Sequence, residues 1–142
     1  MDGRASIFLP PGGKTGTDDW STPHDLYDAL HREFEFTMDA CPLTEGSAAG
    51  MPLFGTDRLM DSWRGQRVWC NPPYRREIGR WLAKALEAEV AVFLVPARTD
   101  TAWWHDHAMK AAEVRFLRGR LKFGGAKHSA PFPSVVLVYR GA

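Results

Sequence analysis

Apolar positions along this chain switch between helical spacing and short unbroken runs. Leu26, Tyr27, Leu30 and Phe34 recur at helical spacing behind Ser21-Thr22-Pro23. That arrangement predicts a helix with a hydroxyl as N-cap and proline in its first position. Phe36-Thr37-Met38-Asp39 reads as a short strand ending in a carboxylate, and the Gly/Ala/Pro/Ser-rich residues 40–56 read as a loop. Residues 57–63 suggest a short helical turn. Val68-Trp69-Cys70 is a second strand, stopped by Asn71-Pro72-Pro73-Tyr74, because two prolines in a row cannot extend a central ladder. Ile78, Trp81, Leu82, Ala85 and Leu86 then line one face of an amphipathic helix. Val90 to Val95 is a continuous apolar run, the pattern of a strand covered on both faces, and it ends at Pro96. Trp103, Trp104, His107, Ala108 and Ala111 predict a further helix, capped by Thr99 or Asp100. Val114 to Leu117 is another strand. Leu121-Lys122-Phe123 and Val135 to Tyr139 read as a terminal antiparallel pair joined by a Gly/Pro-rich loop.

Strands alternating with helices predict an α/β fold with a mostly parallel sheet, closed by a C-terminal antiparallel hairpin. Ligands of such sheets bind outside the carboxyl ends of the strands. Asp39, Asn71 and the Arg98-Thr99-Asp100 loop all fall at such ends, so they are expected to open onto one edge.

Composition narrows the class. At 142 residues one domain is expected. Residues 1–18, with Pro10, Pro11, Gly12, Gly13 and Gly16, read as a flexible N-terminal arm, and 19–142 as a single domain. The formal net charge is +1, from 18 Lys and Arg against 17 Asp and Glu. A histone-like polymer binder and an acidic tail protein are excluded, so any nucleic-acid contact must come from a local patch. Residues 113–128 supply one: Arg115, Arg118, Arg120, Lys122 and Lys127 stand against Glu113 alone. That density suits a DNA backbone, and equally a solvated hairpin surface. Arg98 is a further candidate contact, as are Arg75 and Arg76 beside the Pro-Pro turn, where Glu77 offsets one charge.

Two cysteines, Cys41 and Cys70, make neither a disulfide framework nor a zinc cluster, and fit a reducing cytoplasm. No apolar run is long enough to span a membrane, and no signal-peptide pattern opens the chain. His105 and His107 stand at i and i+2, which do not share a helix face, so no metal is expected. Gly12-Gly13-Lys14-Thr15 mimics half of a phosphate-binding loop, but Phe8 stands where that motif requires glycine.

Asn71-Pro72-Pro73-Tyr74 carries the most chemistry. The prolines fix the backbone after a strand. The Asn71 amide oxygen and the Pro72 carbonyl then point at one spot. Two fixed acceptors suit a planar amino group with two hydrogens, and turn its nitrogen lone pair toward an electrophile. Tyr74 is placed to stack on the ring that bears the amine. The competing reading is a rigid turn with a capping asparagine.

Six segments in order extend this picture. They are Asp19-Trp20-Ser21-Thr22-Pro23, Phe36-Thr37-Met38-Asp39-Ala40, Val68-Trp69-Cys70-Asn71-Pro72-Pro73-Tyr74, Pro96-Ala97-Arg98-Thr99-Asp100-Thr101, Gly119-Arg120-Leu121-Lys122-Phe123 and Ala130-Pro131-Phe132-Pro133-Ser134. Between residues 19 and 139 the chain resembles the DNA adenine-specific methyltransferase family found mostly in phages and prophages. The resemblance implies a Rossmann-like fold that uses S-adenosylmethionine and acts on DNA. It implies that Asn71, Pro72, Pro73 and Tyr74 form the catalytic loop around a flipped adenine. Asp39 is implied to hold the methionine end of the cofactor, Thr22 and Pro23 to close over that end, and Asp57 to meet the cofactor's adenine amine. Trp20, Ala40 and Asn71 complete the implied cofactor contacts.

The fold so implied is shortened. Asp39-Ala40-Cys41-Pro42 replaces the Gly-rich loop usual after the first strand of methyltransferases, and only residues 40–67 separate that strand from the one before Asn71. A crossover unit alone takes ~30 residues. No room remains for a separate target-recognition domain. Sequence preference is left to loops, the N-terminal arm or a second subunit, with a homodimer as the candidate assembly. Two other functions stay open. One is methylation of a protein glutamine or another planar amide, since an amide nitrogen also offers two hydrogens. The other is a non-catalytic DNA- or cofactor-binding module.

Overall fold

A computed structural model describes residues 5–8, 22–41, 58–74, 77–123 and 128–141. Its centre is a six-stranded mixed sheet. The strands are β1 (Ala5–Phe8), β2 (Met38–Asp39), β3 (Arg67–Cys70), β4 (Val90–Pro96), β5 (Glu113–Leu117) and β6 (Ser134–Arg140). Their order across the sheet is β1-β5-β6-β4-β3-β2. β2, β3 and β4 pair in parallel, β1 pairs in parallel with β5, and β6 runs antiparallel to both β4 and β5. Five strands therefore share one direction, and their carboxyl ends share one edge.

Among the described residues three α-helices cover the faces: α1 (His24–Phe34), α2 (Ile78–Ala83) and α3 (Ala102–Asp106). The pleat sorts the core into two layers. Val68, Cys70, Ala91, Phe93 and Val95 turn to the side of α2 and α3, with Ile78, Trp81 and Trp104. Trp69, Val92 and Leu94 turn to the side of α1, with Leu26, Tyr27, Leu30 and Phe34. β4 is buried along its whole length, as its unbroken apolar run requires.

Several elements differ from the sequence reading. Ala5–Phe8, assigned to a flexible arm, form an edge strand in register with Val114–Leu117. The partner of the last strand is not 121–123. Those residues are no strand, and β6 instead inserts between β4 and β5. Val135 to Val138 are all buried, an unbroken apolar run like that of β4 and the signature of a central strand. Helix α2 stops at Ala83 and gives way to a 3₁₀ turn over Ala85–Glu87, which rotates Leu86 off the apolar face and leaves it exposed. The cap of α3 is Thr101 rather than Thr99 or Asp100, its hydroxyl accepting from the Trp104 N–H. Residues 58–61 make a turn closed by Asp61 N–H donating to the Arg58 carbonyl. The 42–56 loop and the rest of the 1–18 segment lie outside the described residues.

Candidate functional site

The parallel register decides where the polar residues meet. Met38 pairs with Val68 and Asp39 with Trp69, and β3 pairs in turn with β4. Asp39 and Asn71 thus leave adjacent strands at the same edge, and Arg98 leaves the next strand there. Asn71, one strand over from Asp39 and two residues beyond its pairing partner, also lies on the α1 side. Its amide nitrogen donates to the Thr22 hydroxyl at 3.2 Å, and both residues are buried.

That bond explains the start of α1. Thr22 does not cap it, and Ser21 lies outside the described residues. Pro23 takes the N-cap position, with no side-chain cap, and its carbonyl accepts from the Tyr27 N–H. The Thr22 hydroxyl is spent on Asn71 instead. Two motifs 49 residues apart are joined by one hydrogen bond, which also orients the Asn71 amide.

Asp39 is a buried acid. Burial pushes its carboxyl up to about 6, against the Cys41 N–H, which donates to Oδ1 at 3.2 Å, and the positive charge of Arg58. Ala40 is fixed beside it, donating to the Trp69 carbonyl and accepting from the Arg58 N–H. Arg58 itself pairs with Asp61 at 3.1 Å.

Tyr74 closes the Pro-Pro turn from below. Its hydroxyl donates to the Leu94 carbonyl at 3.0 Å, and its ring stands edge-to-face with Phe123 and Phe132. Burial raises its phenol well above the ordinary range, so it stays protonated. The two phenylalanines belong to the connection between β5 and β6, which also carries Arg118, Arg120 and Lys122. These three cations are exposed and make no ion pair among the described residues. Because β5 runs parallel with β4, they leave the sheet at the edge where Asn71 sits. Arg98 is exposed too, its guanidinium over the Phe132 ring at 5.4 Å.

Arg115 is a correction to the basic patch. Its guanidinium pairs with both Glu33 oxygens at 2.6 Å and with Glu113 at 3.1 Å. It is neutralised there and ties α1 to β5. Trp20, Asp57, Arg75, Arg76, Lys127 and the Gly12–Thr15 segment lie outside the described residues. No group of three or more metal-ligating side chains occurs among the described residues. His105 and His107 are engaged otherwise: the His105 ring meets the Thr99 carbonyl at 2.8 Å, and His107 borders Gly79.

One residue of this neighbourhood escapes sequence reasoning. Tyr27 belongs to the apolar stripe of α1 and packs edge-to-face on Trp69, the register partner of Asp39. Its hydroxyl is buried and finds no hydrogen-bond partner among the described residues. A tyrosine at helical spacing reads as core, and only the fold shows what lies beside its oxygen.

Comparison with known proteins identifies the family. The family model for DNA N-6-adenine-methyltransferase (Dam) matches residues 13–139. A DNA N-6-adenine-methyltransferase of Escherichia phage T1 is 28% identical over 111 residues, which cover 73% of this chain and 46% of the phage protein. The chain thus spans about half the length of the curated relative it matches. No solved structure matches it significantly.

Proposed function

The chain belongs to the DNA N-6-adenine-methyltransferase family, and we propose from that membership that it methylates the exocyclic amine of adenine in DNA with S-adenosylmethionine. The observation that carries the proposal is the Asn71–Thr22 hydrogen bond, which joins the Thr-Pro and Asn-Pro-Pro-Tyr segments beside Asp39. We assign the sheet to a shortened Rossmann-like fold, with residues 19–142 acting as one catalytic unit to which Ala5–Phe8 add an edge strand.

The residues at the edge suit the cofactor. Asp39 is a buried carboxyl that lacks a full counter-charge, so an ammonium group arriving beside it restores the ionised form. Thr22 and Pro23 flank the same spot, and Ala40 and Asn71 complete the wall; Trp20 and Asp57 are assigned to it from the resemblance. Bound there, the cofactor supplies an electrophilic methyl group. The protein's part is positioning, worth ~7–11 kcal/mol at best. Asn71 Oδ1 and the Pro72 carbonyl accept the two amine hydrogens of the target. Pro73 keeps that pair of acceptors rigid, and Tyr74, tethered at its hydroxyl, offers a ring of set orientation for the base to lie against. A duplex substrate must first extrude the adenine, at a cost of a few kcal/mol.

DNA is favoured over a protein amide because Arg98, Arg118, Arg120 and Lys122 stand exposed at this edge, with Arg75 assigned to the same track from its position beside the loop. No helix among the described residues is long and apolar enough to cross a membrane, and the site of action we assign is the cytoplasm of a bacterial or phage-infected cell. Mass-spectrometric nucleoside analysis of unmethylated DNA, incubated with protein and S-adenosylmethionine, tests the reaction. N-methylated adenine is expected with wild type. Asn71→Ala is expected to lower the rate at least ~100-fold, with a much smaller loss of cofactor affinity from the wall that Asn71 shares. Cofactor binding without a modified base would redirect the search to a protein amide. DNA binding without cofactor binding would leave a non-catalytic module.

A further inference from the structure

We propose that Tyr27 is a cofactor-binding residue, its hydroxyl donating a hydrogen bond to the carboxylate of the bound S-adenosylmethionine. The inference rests on the cofactor reading above and adds a residue that neither the motifs nor the comparisons single out.

Geometry carries it. Tyr27 lies one helical turn past Pro23, whose carbonyl accepts its N–H. Its ring packs on Trp69 at 5.5 Å between centroids, and Trp69 is paired across the ladder with Asp39. The oxygen therefore sits where α1 meets the carboxyl end of β2, in the electrostatic reach of Asp39. There it is fully buried and has no hydrogen-bond partner among the described residues.

A buried, unpaired hydroxyl is a net cost to the folded chain. The ring's packing does not require it. His31 and Phe36 stack on or tilt against the same ring, and phenylalanine would fill that space equally well. An oxygen that costs stability and adds nothing to packing is best explained by a partner that arrives later. The amino-acid end of the cofactor brings two charges, an ammonium and a carboxylate. Asp39 is the match for the ammonium. The neighbouring hydroxyl is a neutral donor, held protonated by burial and by the Asp39 and Asp28 charges, and it matches the carboxylate.

Tyr27→Phe removes that oxygen and nothing else. Calorimetry with wild type and variant, each titrated with S-adenosylmethionine and with its decarboxylated analogue, separates the possibilities. The expected result is an affinity loss of about tenfold or more for S-adenosylmethionine. The decarboxylated analogue should bind both proteins alike. The melting temperature of the ligand-free variant should equal or exceed that of wild type. Equal S-adenosylmethionine affinity for both proteins would overturn the assignment, as would an equal loss with both ligands. A lower melting temperature with unchanged affinity would place the hydroxyl's partner inside the protein and also overturn it. Failure of wild type to bind either ligand would remove the cofactor reading itself, a result distinct from these.

Discussion

Asp39 works against the fold, and the proposed function has it work for the ligand. Its carboxyl is raised from 3.8 to about 6 by burial, so the folded chain holds that proton more tightly than the unfolded chain. Stability is then fully present below the ordinary carboxylate range and is lost as pH climbs through about 6. The loss at neutral pH is on the order of 2–3 kcal/mol, from a shift of about two units. Asp39→Asn keeps an acceptor for the Cys41 N–H and removes the charge. The ligand-free variant should melt higher than wild type at pH 7.5 and match it near pH 4, while cofactor affinity falls. Thermal melts at both values check the first part and calorimetry the second; a variant with the wild-type pH profile would clear Asp39 of this role. At this scale much was legible in the sequence. Asp39 and Asn71 are polar residues ending apolar runs, and a parallel sheet sends such ends to one edge. Tyr27 was not legible, because nothing local distinguishes a tyrosine whose oxygen is unpaired from one whose oxygen is satisfied.

Between elements, the contact to test is the one that Arg115 makes. It holds Glu33 near the end of α1 and Glu113 at the start of β5, and its guanidinium also lies over the Phe34 ring at 5.2 Å. The same helix delivers Thr22 and Pro23 at its other end, so the ion pairs fix the angle at which the site is approached. Glu33 is half-exposed, which limits the electrostatic gain. Arg115→Met is expected to cost about 1–2 kcal/mol in urea unfolding at pH 7. Arg115 and its hydrogen bonds hold the Glu33 carboxyl below its usual range, despite some burial. That contribution is present above the ordinary carboxylate range and disappears as pH falls through the lowered value. Wild type and variant should therefore converge in acid. Persistence of the full difference there would point to lost packing on Phe34 instead. Counting charges along the chain placed Arg115 in a DNA patch, because Glu33 is 82 residues away in sequence. β1 was read as part of an arm and 121–123 as a strand that does not form, whereas β3 to β6 were legible as apolar runs. Their order was not, since pairing of β6 with β4 and β5 is a long-range choice that local pattern does not encode.

For the molecule as a whole, the proposed function and a net charge of +1 together require a local track of cations for DNA rather than the total field. Arg98, Arg118, Arg120 and Lys122 lie along the edge that holds Asn71. Arg120→Ala should weaken binding to unrelated duplexes by a similar factor and lower the slope of log affinity against log salt by about one unit. Gel shifts at several salt concentrations on two sequences measure this. A loss confined to one sequence would put Arg120 at a base edge.

β6 has a consequence for the order in which the sheet is made. Synthesis runs from β1 toward β6, so the strand at the middle of the sheet emerges after both of its flanks. Until residues 134–140 arrive, β4 and β5 each present an unpaired apolar ladder to solvent, the kind of edge that recruits other chains. β6 is thus the seam that both ladders require. Late arrival of the last strand therefore leaves these two ladders as the edges on which other chains can pair before the sheet is complete.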